Sequence, residues 1–137
     1  MADRFIEISM KLTVTDGDID DIMCTALEGG VNYWADDCEV VNGEYLGKWA
    51  HEHLSKGDTL RFHVMEPFDD DDTEYYDLDE EKFIKGLKMY LQDPDKPYEI
   101  VSMDLEDGYY KLDPGMVDAD VADMIVQYAL FGEIIYG

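Results

Sequence analysis

The sequence predicts an α+β fold: a single compact domain spanning residues 1–137, with a mainly antiparallel sheet and about four helices. Three observations carry that expectation. Short runs alternate apolar and polar residues, the period of a half-buried strand. Longer segments repeat apolar residues at helical spacing between Asp or Thr starts and Gly or Pro stops. The length fits one domain, which would bury roughly two thirds of the surface its unfolded chain exposes.

Phe5, Ile6, Ile8, Met10, Leu12 and Val14 alternate over 4–15, with a phase shift near Phe5, and predict a first strand ending at Thr13 or Val14. Ile19, Ile22, Met23, Ala26 and Leu27 then predict a helix over 17–28. Thr15 or Asp16 caps it, early aspartates suit its positive end, and Gly29-Gly30 stops it. VNYWADDCEVV reads as a loop followed by a short strand. Tyr45, Leu46, Trp49, Ala50 and Leu54 share one face of a second helix that ends before Gly57.

TLRFHVME alternates Leu60, Phe62 and Val64 against Arg61, His63 and Met65 as a strand, and EYYDL is its expected neighbour in a hairpin with an acidic tip. A third helix starts near Asp79 or Glu80. Phe83, Ile84, Leu87, Tyr90 and Leu91 line one side of it, Lys82, Lys85 and Lys88 face elsewhere, and Pro94 and Pro97 prevent continuation. YEIVSMDL and YYKLD read as strands joined through Glu106-Asp107-Gly108. DADVADMIVQYALFG is the most apolar helix, and EIIYG reads as a terminal strand.

One internal likeness stands out. Asp18 to Met23 followed by Gly30 parallels Asp120 to Ile125 followed by Gly132. Shared capping rules account for it, and the expected consequence is two helices side by side on one sheet face.

Charge narrows the functional classes. There are 34 Asp and Glu against 10 Lys and Arg, a formal net charge of −24. That lies well beyond the roughly 2 to 8 units that keep a small domain soluble. Such a surface repels nucleic acid and anionic membranes and attracts proteins with a basic working face. With 46% apolar and 12% aromatic residues the chain has the material for a core, which excludes simple acidic disorder. Mutual repulsion predicts that added salt raises the melting temperature. Cys24 and Cys38 form no CxxC and no disulfide framework, which favours a reducing compartment. MADRFIEISMKL lacks a basic region followed by an apolar run, and the expectation is a soluble intracellular chain.

From Glu66 to Glu81 there are ten acidic residues and no basic one. Together with two adjacent tyrosines this stretch supplies the expected partner-binding set: Glu66, Asp69, Asp70, Asp71, Asp72, Glu74, Tyr75, Tyr76, Asp77, Asp79, Glu80 and Glu81. Dense carboxylates imitate phosphates before a basic groove, since duplex DNA carries one charge per roughly 1.7 Å of axis. If Asp69 to Asp72 extend from the hairpin, their spacing approaches the phosphate spacing along one strand, roughly 7 Å, a permissive rather than a specific match. An ordinary solvated loop and weak divalent-cation binding are the competing readings. Neither DGDIDD nor DDDD has the spacing of a helix-loop-helix calcium site.

One of Tyr75 and Tyr76 must point away from the core and would serve as an anchor beside the charges. His51, His53 and His63 form no zinc ligand set with either cysteine, and no nucleophile or phosphate loop is recognisable. Paired carboxylates carry no information when so many exist. The expectation is a non-enzyme without metal or cofactor. A face bearing Cys24 or Trp34 reads either as core or as a homodimer contact.

The segments LTVTDGDIDDIMCTALEGGVNYW, EYLGKWAHEHLSKGDTLRFH, FIKGLKMYL and DADVADMIVQYALFGEIIYG together resemble a family of short proteins encoded by phages and prophages of Gram-positive bacteria. The likeness runs from about Leu12 to Gly137 and assigns no catalytic role to any residue. Asp69 to Asp72 and Met1 to Lys11 are less typical of it. By class analogy, small acidic phage proteins include DNA mimics that inhibit restriction and CRISPR nucleases. The resemblance therefore implies an inhibitor of a basic host defence nuclease, acting in the host cytoplasm, binding neither nucleic acid nor membrane directly. The alternative is a non-catalytic phage structural or accessory interaction module.

Overall fold

Leu60, Phe62 and Val64 set the centre of the fold. In the computed structural model the described residues are all but Met1, Ile8, Met10, 42–48 and 105–107. β3 (Leu60–Val64) buries these three side chains completely and turns Arg61 to solvent, as its alternation predicts. It lies between two antiparallel neighbours, β2 (Ala35–Val40) and β4 (Tyr75–Leu78). Phe62 faces Cys38 on one side and Tyr76 on the other.

A second three-stranded sheet has β6 (Tyr109–Leu112) at its centre, antiparallel to β5 (Val101–Asp104) and parallel to β1 (Leu12–Thr13). Among the described residues the expected first strand survives only at Leu12–Thr13. Leu12 pairs with Tyr110, so one step back the partner strand is at its first residue, and beyond that lies Gly108 turned at φ 71. The ladder runs out of partner, and Phe5 and Ile6 are left 90% and 83% exposed.

α1 (Asp16–Thr25) begins where expected. Thr15 Oγ1 accepts from the Asp18 backbone N–H while Asp18 accepts from the Thr15 N–H, a reciprocal capping box. The helix widens into a π-turn over Ala26–Gly30 and stops at the predicted glycine pair. The second helix is corrected. Tyr45 and Leu46 lie outside the described residues, and the rest of the segment forms two 3-10 turns, Ala50–Glu52 and Leu54–Lys56, closed by Gly57 at φ 90. Leu54 is buried, but Trp49 is 55% exposed and shares no apolar face with it.

α2 (Glu80–Gln92) and α3 (Ala119–Phe131) start at Asp79 and Asp118, whose carboxylates accept from the Lys82 and Val121 N–H groups. These helices pack closely on each other. Gly86 makes the crossing possible: a Cβ there would sit 2.6 Å from Ala129 Cβ and from the Ile125 carbonyl oxygen. The internal likeness predicts α1 as the neighbour of α3, but α2 holds that place. α1 reaches α3 mainly through its π-turn, where Gly30 lies against the Ala119 carbonyl.

The terminal EIIYG segment is not a strand. Its Ile135 and Tyr136 N–H groups donate to the Gln127 side-chain carbonyl at 2.9 and 2.8 Å, so a side chain takes the bonds that a sheet would have taken. Trp34 is 2% exposed, packed among Phe62, Phe131 and Tyr136. Of the two readings for Trp34, the core is correct, and it offers no homodimer contact.

Candidate functional site

The connection between β3 and β4 holds the acidic run, and its backbone does not extend. The Asp72 N–H donates to the Asp69 carbonyl, closing a turn, and Asp72 stands at φ 52. Asp69 accepts from the Thr73 N–H at 2.7 Å and from the Thr73 hydroxyl, which hold its carboxyl below the ordinary carboxylate range. The regular strand spacing expected for Asp69 to Asp72 is therefore absent. A side chain that bonds its own loop backbone favours a turn over an extended ladder. Asp70, Asp71 and Asp72 are exposed on this turn.

Aromatic packing fixes the loop to the body. Phe68 stacks on Tyr76 at 5.9 Å and meets the edge of Phe131 at 5.0 Å, while the Tyr136 hydroxyl donates to the Glu66 carbonyl. Of the two adjacent tyrosines, Tyr76 is half-buried in this cluster and Tyr75 is 58% exposed. Tyr75 lies against the His63 ring at 5.0 Å. His63 Nδ1 is 2.5 Å from Asp36 and Nε2 is 3.4 Å from Glu74, and the Asp36 hydrogen bond raises the His63 pKa above its ordinary value.

The run is not uniformly anionic in space. Arg61 grips Asp77 with Nε and Nη2 at 2.8 and 3.1 Å, lowering the Asp77 pKa, and Lys82 Nζ donates to the Asp77 carbonyl. A shallow hollow lined by Tyr75, Tyr76, Asp77, Glu39, Arg61 and Lys82 results. The sequence run lacks cations because both arrive from elsewhere: Arg61 from β3, Lys82 from the first turn of α2.

The expected contact set thus divides by what each side chain already does. Asp69 closes its turn, Asp77 pairs with Arg61, Asp79 caps α2, Tyr76 packs, and Glu74 approaches His63. Glu66, Asp70, Asp71, Asp72, Tyr75, Glu80 and Glu81 remain exposed, on the loop, on β4 and on the first turn of α2.

Sequence reading missed a second polar cluster, inside the core. Asp123 is 7% exposed and accepts from Trp34 Nε1 at 2.7 Å, the Tyr33 hydroxyl at 2.5 Å and Gln127 Nε2 at 2.9 Å. Burial, followed by the Asp123 carboxylate, pushes the Tyr33 pKa upward. The available signal was Asp123 and Gln127 four apart on one face of the most apolar helix, where a polar pair needs partners.

His53 is buried beside Asp58, and His51 is half-buried on the first 3-10 turn. Burial pushes the Cys38 thiol up to about 12, with Asp37 and Glu39 adding to it, so it carries little of the nucleophilic thiolate. Among the described residues no group of His, Cys, Asp or Glu is arranged to hold a metal ion, and no helix is long and apolar enough to cross a membrane. No family model, curated protein or solved structure matches the chain.

Proposed function

We propose that this protein is a non-catalytic binder of a basic protein surface, acting as a phage-encoded inhibitor that occupies the nucleic-acid-binding face of a host defence nuclease. The observation that supports this reading is the exposure of Asp70, Asp71 and Asp72 on a turn that Asp69 closes onto Thr73 and that Phe68 anchors to the body. A preorganised anionic turn loses little entropy when it docks. Tyr75 supplies aromatic contact area, and Glu80 and Glu81 add charge at the start of α2. The charges speed encounter and the aromatic group slows release. The regular phosphate-like ladder is not part of this proposal, because the loop is turned. The mimicry is of charge density.

Affinity capture from a host lysate at low salt, with identification of the retained protein, tests the reading. The expected partner is a basic nucleic-acid-binding protein whose retention falls as salt rises and which DNA displaces. Replacing Asp70, Asp71 and Asp72 with Asn should slow association several-fold while leaving the melting transition near its original temperature. Unchanged association would remove this turn from the interface.

A further inference from the structure

The groove between α2 and the second sheet sits beside a segment of this chain that has apolar residues and nothing to cover them. The groove encloses about 590 Å³ and is lined by Leu12, Val14, Ile84, Leu87, Leu91 and Tyr110, with Lys88 and Glu99 at its margin. Leu12 belongs to β1, and the residues just before β1 are the arm that carries Phe5 and Ile6 at 90% and 83% exposure. Although joined directly to a groove-lining strand, the chain's own arm leaves its two anchors in solvent.

We infer that this groove receives the N-terminal arm of a second copy, in a reciprocal two-fold exchange. Charge supports that occupant. Asp3 and Glu7 flank Phe5-Ile6, while α2 presents exposed Lys85 and Lys88 beside Ile84, with Glu80 and Glu81 one turn before them. Arg4 of the arm matches Glu99 at the groove margin. An arm with both signs suits this border better than a uniformly acidic segment would. Area supports it as well. One aromatic side chain offers roughly 150–250 Å² to bury, and an isologous contact counts each anchor twice. Two arms, each bringing Phe5 and Ile6, together with the groove surface they cover, thus approach the roughly 1,000 Å² expected of a specific interface. The exposure of Phe5 and Ile6, which find no ladder within their own chain, is then accounted for by a partner.

The inference is independent of the proposed inhibitor role and responds oppositely to salt. Docking to a basic partner weakens as salt rises, whereas association of two chains of charge −24 strengthens as their repulsion is screened.

Sedimentation of the full chain across the micromolar range, at low and moderate salt, is the test. The wild type should show a concentration-dependent dimer favoured by moderate salt. The arm variant F5D/I6D and the groove variant I84D should each weaken dimerisation by at least about tenfold. Ile84 is 40% exposed and both arm positions more so, and circular dichroism melts should confirm that each variant folds. A wild type that stays monomeric throughout, including one whose arm is protected against its own groove in hydrogen exchange, overturns the inference. So does a dimer that persists in F5D/I6D, or one lost in the arm variant but unchanged in I84D.

Discussion

Trp34 Nε1 donates to Asp123 Oδ1 at 2.7 Å, joining two buried residues from opposite ends of the chain. The bond is one side of a closed circuit. Gln127 donates to the same Asp123 oxygen at 2.9 Å and to the Tyr136 carbonyl at 3.1 Å, and Tyr136 stacks on Trp34 with ring centroids 5.4 Å apart. One carboxylate on α3 thereby orients the central aromatic of the core and, through Gln127, the terminal segment above it. The same segment touches the acidic loop through Tyr136 and Glu66.

Asp123→Ala should be among the most damaging single changes. It leaves the buried Trp34 indole without its acceptor, whereas the Tyr33 hydroxyl and Gln127 Nε2 keep the Tyr136 carbonyl. An orphaned buried donor costs about 1–3 kcal/mol, so a loss of about 2 kcal/mol in urea denaturation is expected. Limited proteolysis should also cut the terminal segment earlier than in the wild type. A loss below about 1 kcal/mol would show that the circuit does not hold the core.

Gly86→Ala tests the helix crossing, with a sign opposite to propensity. In an open helix the change stabilises by up to about 1 kcal/mol. Here the new methyl meets the Ile125 carbonyl and the Ala129 backbone nitrogen at 2.6 Å, and backbone cannot swing aside. A destabilisation of about 2 kcal/mol is expected from overpacking, measured by chemical denaturation. Adding Ala129→Gly should recover only part of it, since the backbone contacts remain.

His63 should impose a pH dependence. Its pKa is raised in the folded protein above the ordinary 6.5, first through the Asp36 hydrogen bond and then with help from Glu74. The stabilisation is fully present below the unfolded value and is lost as pH rises through the higher folded one. Nuclear magnetic resonance titration of the His63 ring should therefore give a midpoint above 6.5, and Asp36→Asn should move it back. Across that interval the wild type should lose melting temperature more steeply than His63→Gln. Identical slopes would remove His63 as the source.

Ionic strength should act on the fold as a whole. With a formal charge of −24, screening of repulsion outweighs the weakening of exposed pairs such as Arg61–Asp77, which solvent already screens. The melting temperature should rise between low and moderate sodium chloride in scanning calorimetry. An unchanged value would mean that the carboxylates are too far apart to repel.

The three α-helices were legible because their information is local. Thr15, Asp79 and Asp118 cap, and Gly29-Gly30, Pro94 and Gly132 stop, within a few residues of the apolar stripe they bound. β3 was legible for the same reason, its alternation being read directly as burial. The candidate contact set was legible as a charge run, but not as a surface. Its division into exposed and occupied members depends on Arg61 and Phe131, which lie outside the run, and on the local bond of Thr73 to Asp69, which a charge count does not register.

By itself the sequence determined the α+β class, the capped helices, the position of the hairpin and an anionic exterior, all of which stem from periodicity and composition. Only the tertiary structure decided that, among the described residues, the alternating start pairs for just Leu12–Thr13, that Arg61 takes Asp77, and that the final residues bind Gln127 instead of a strand. Strand pairing and the partners of a buried carboxylate are relations between residues far apart in the chain. Which backbone groups a segment bonds depends on what folding brings beside it, and apolar spacing carries no record of that.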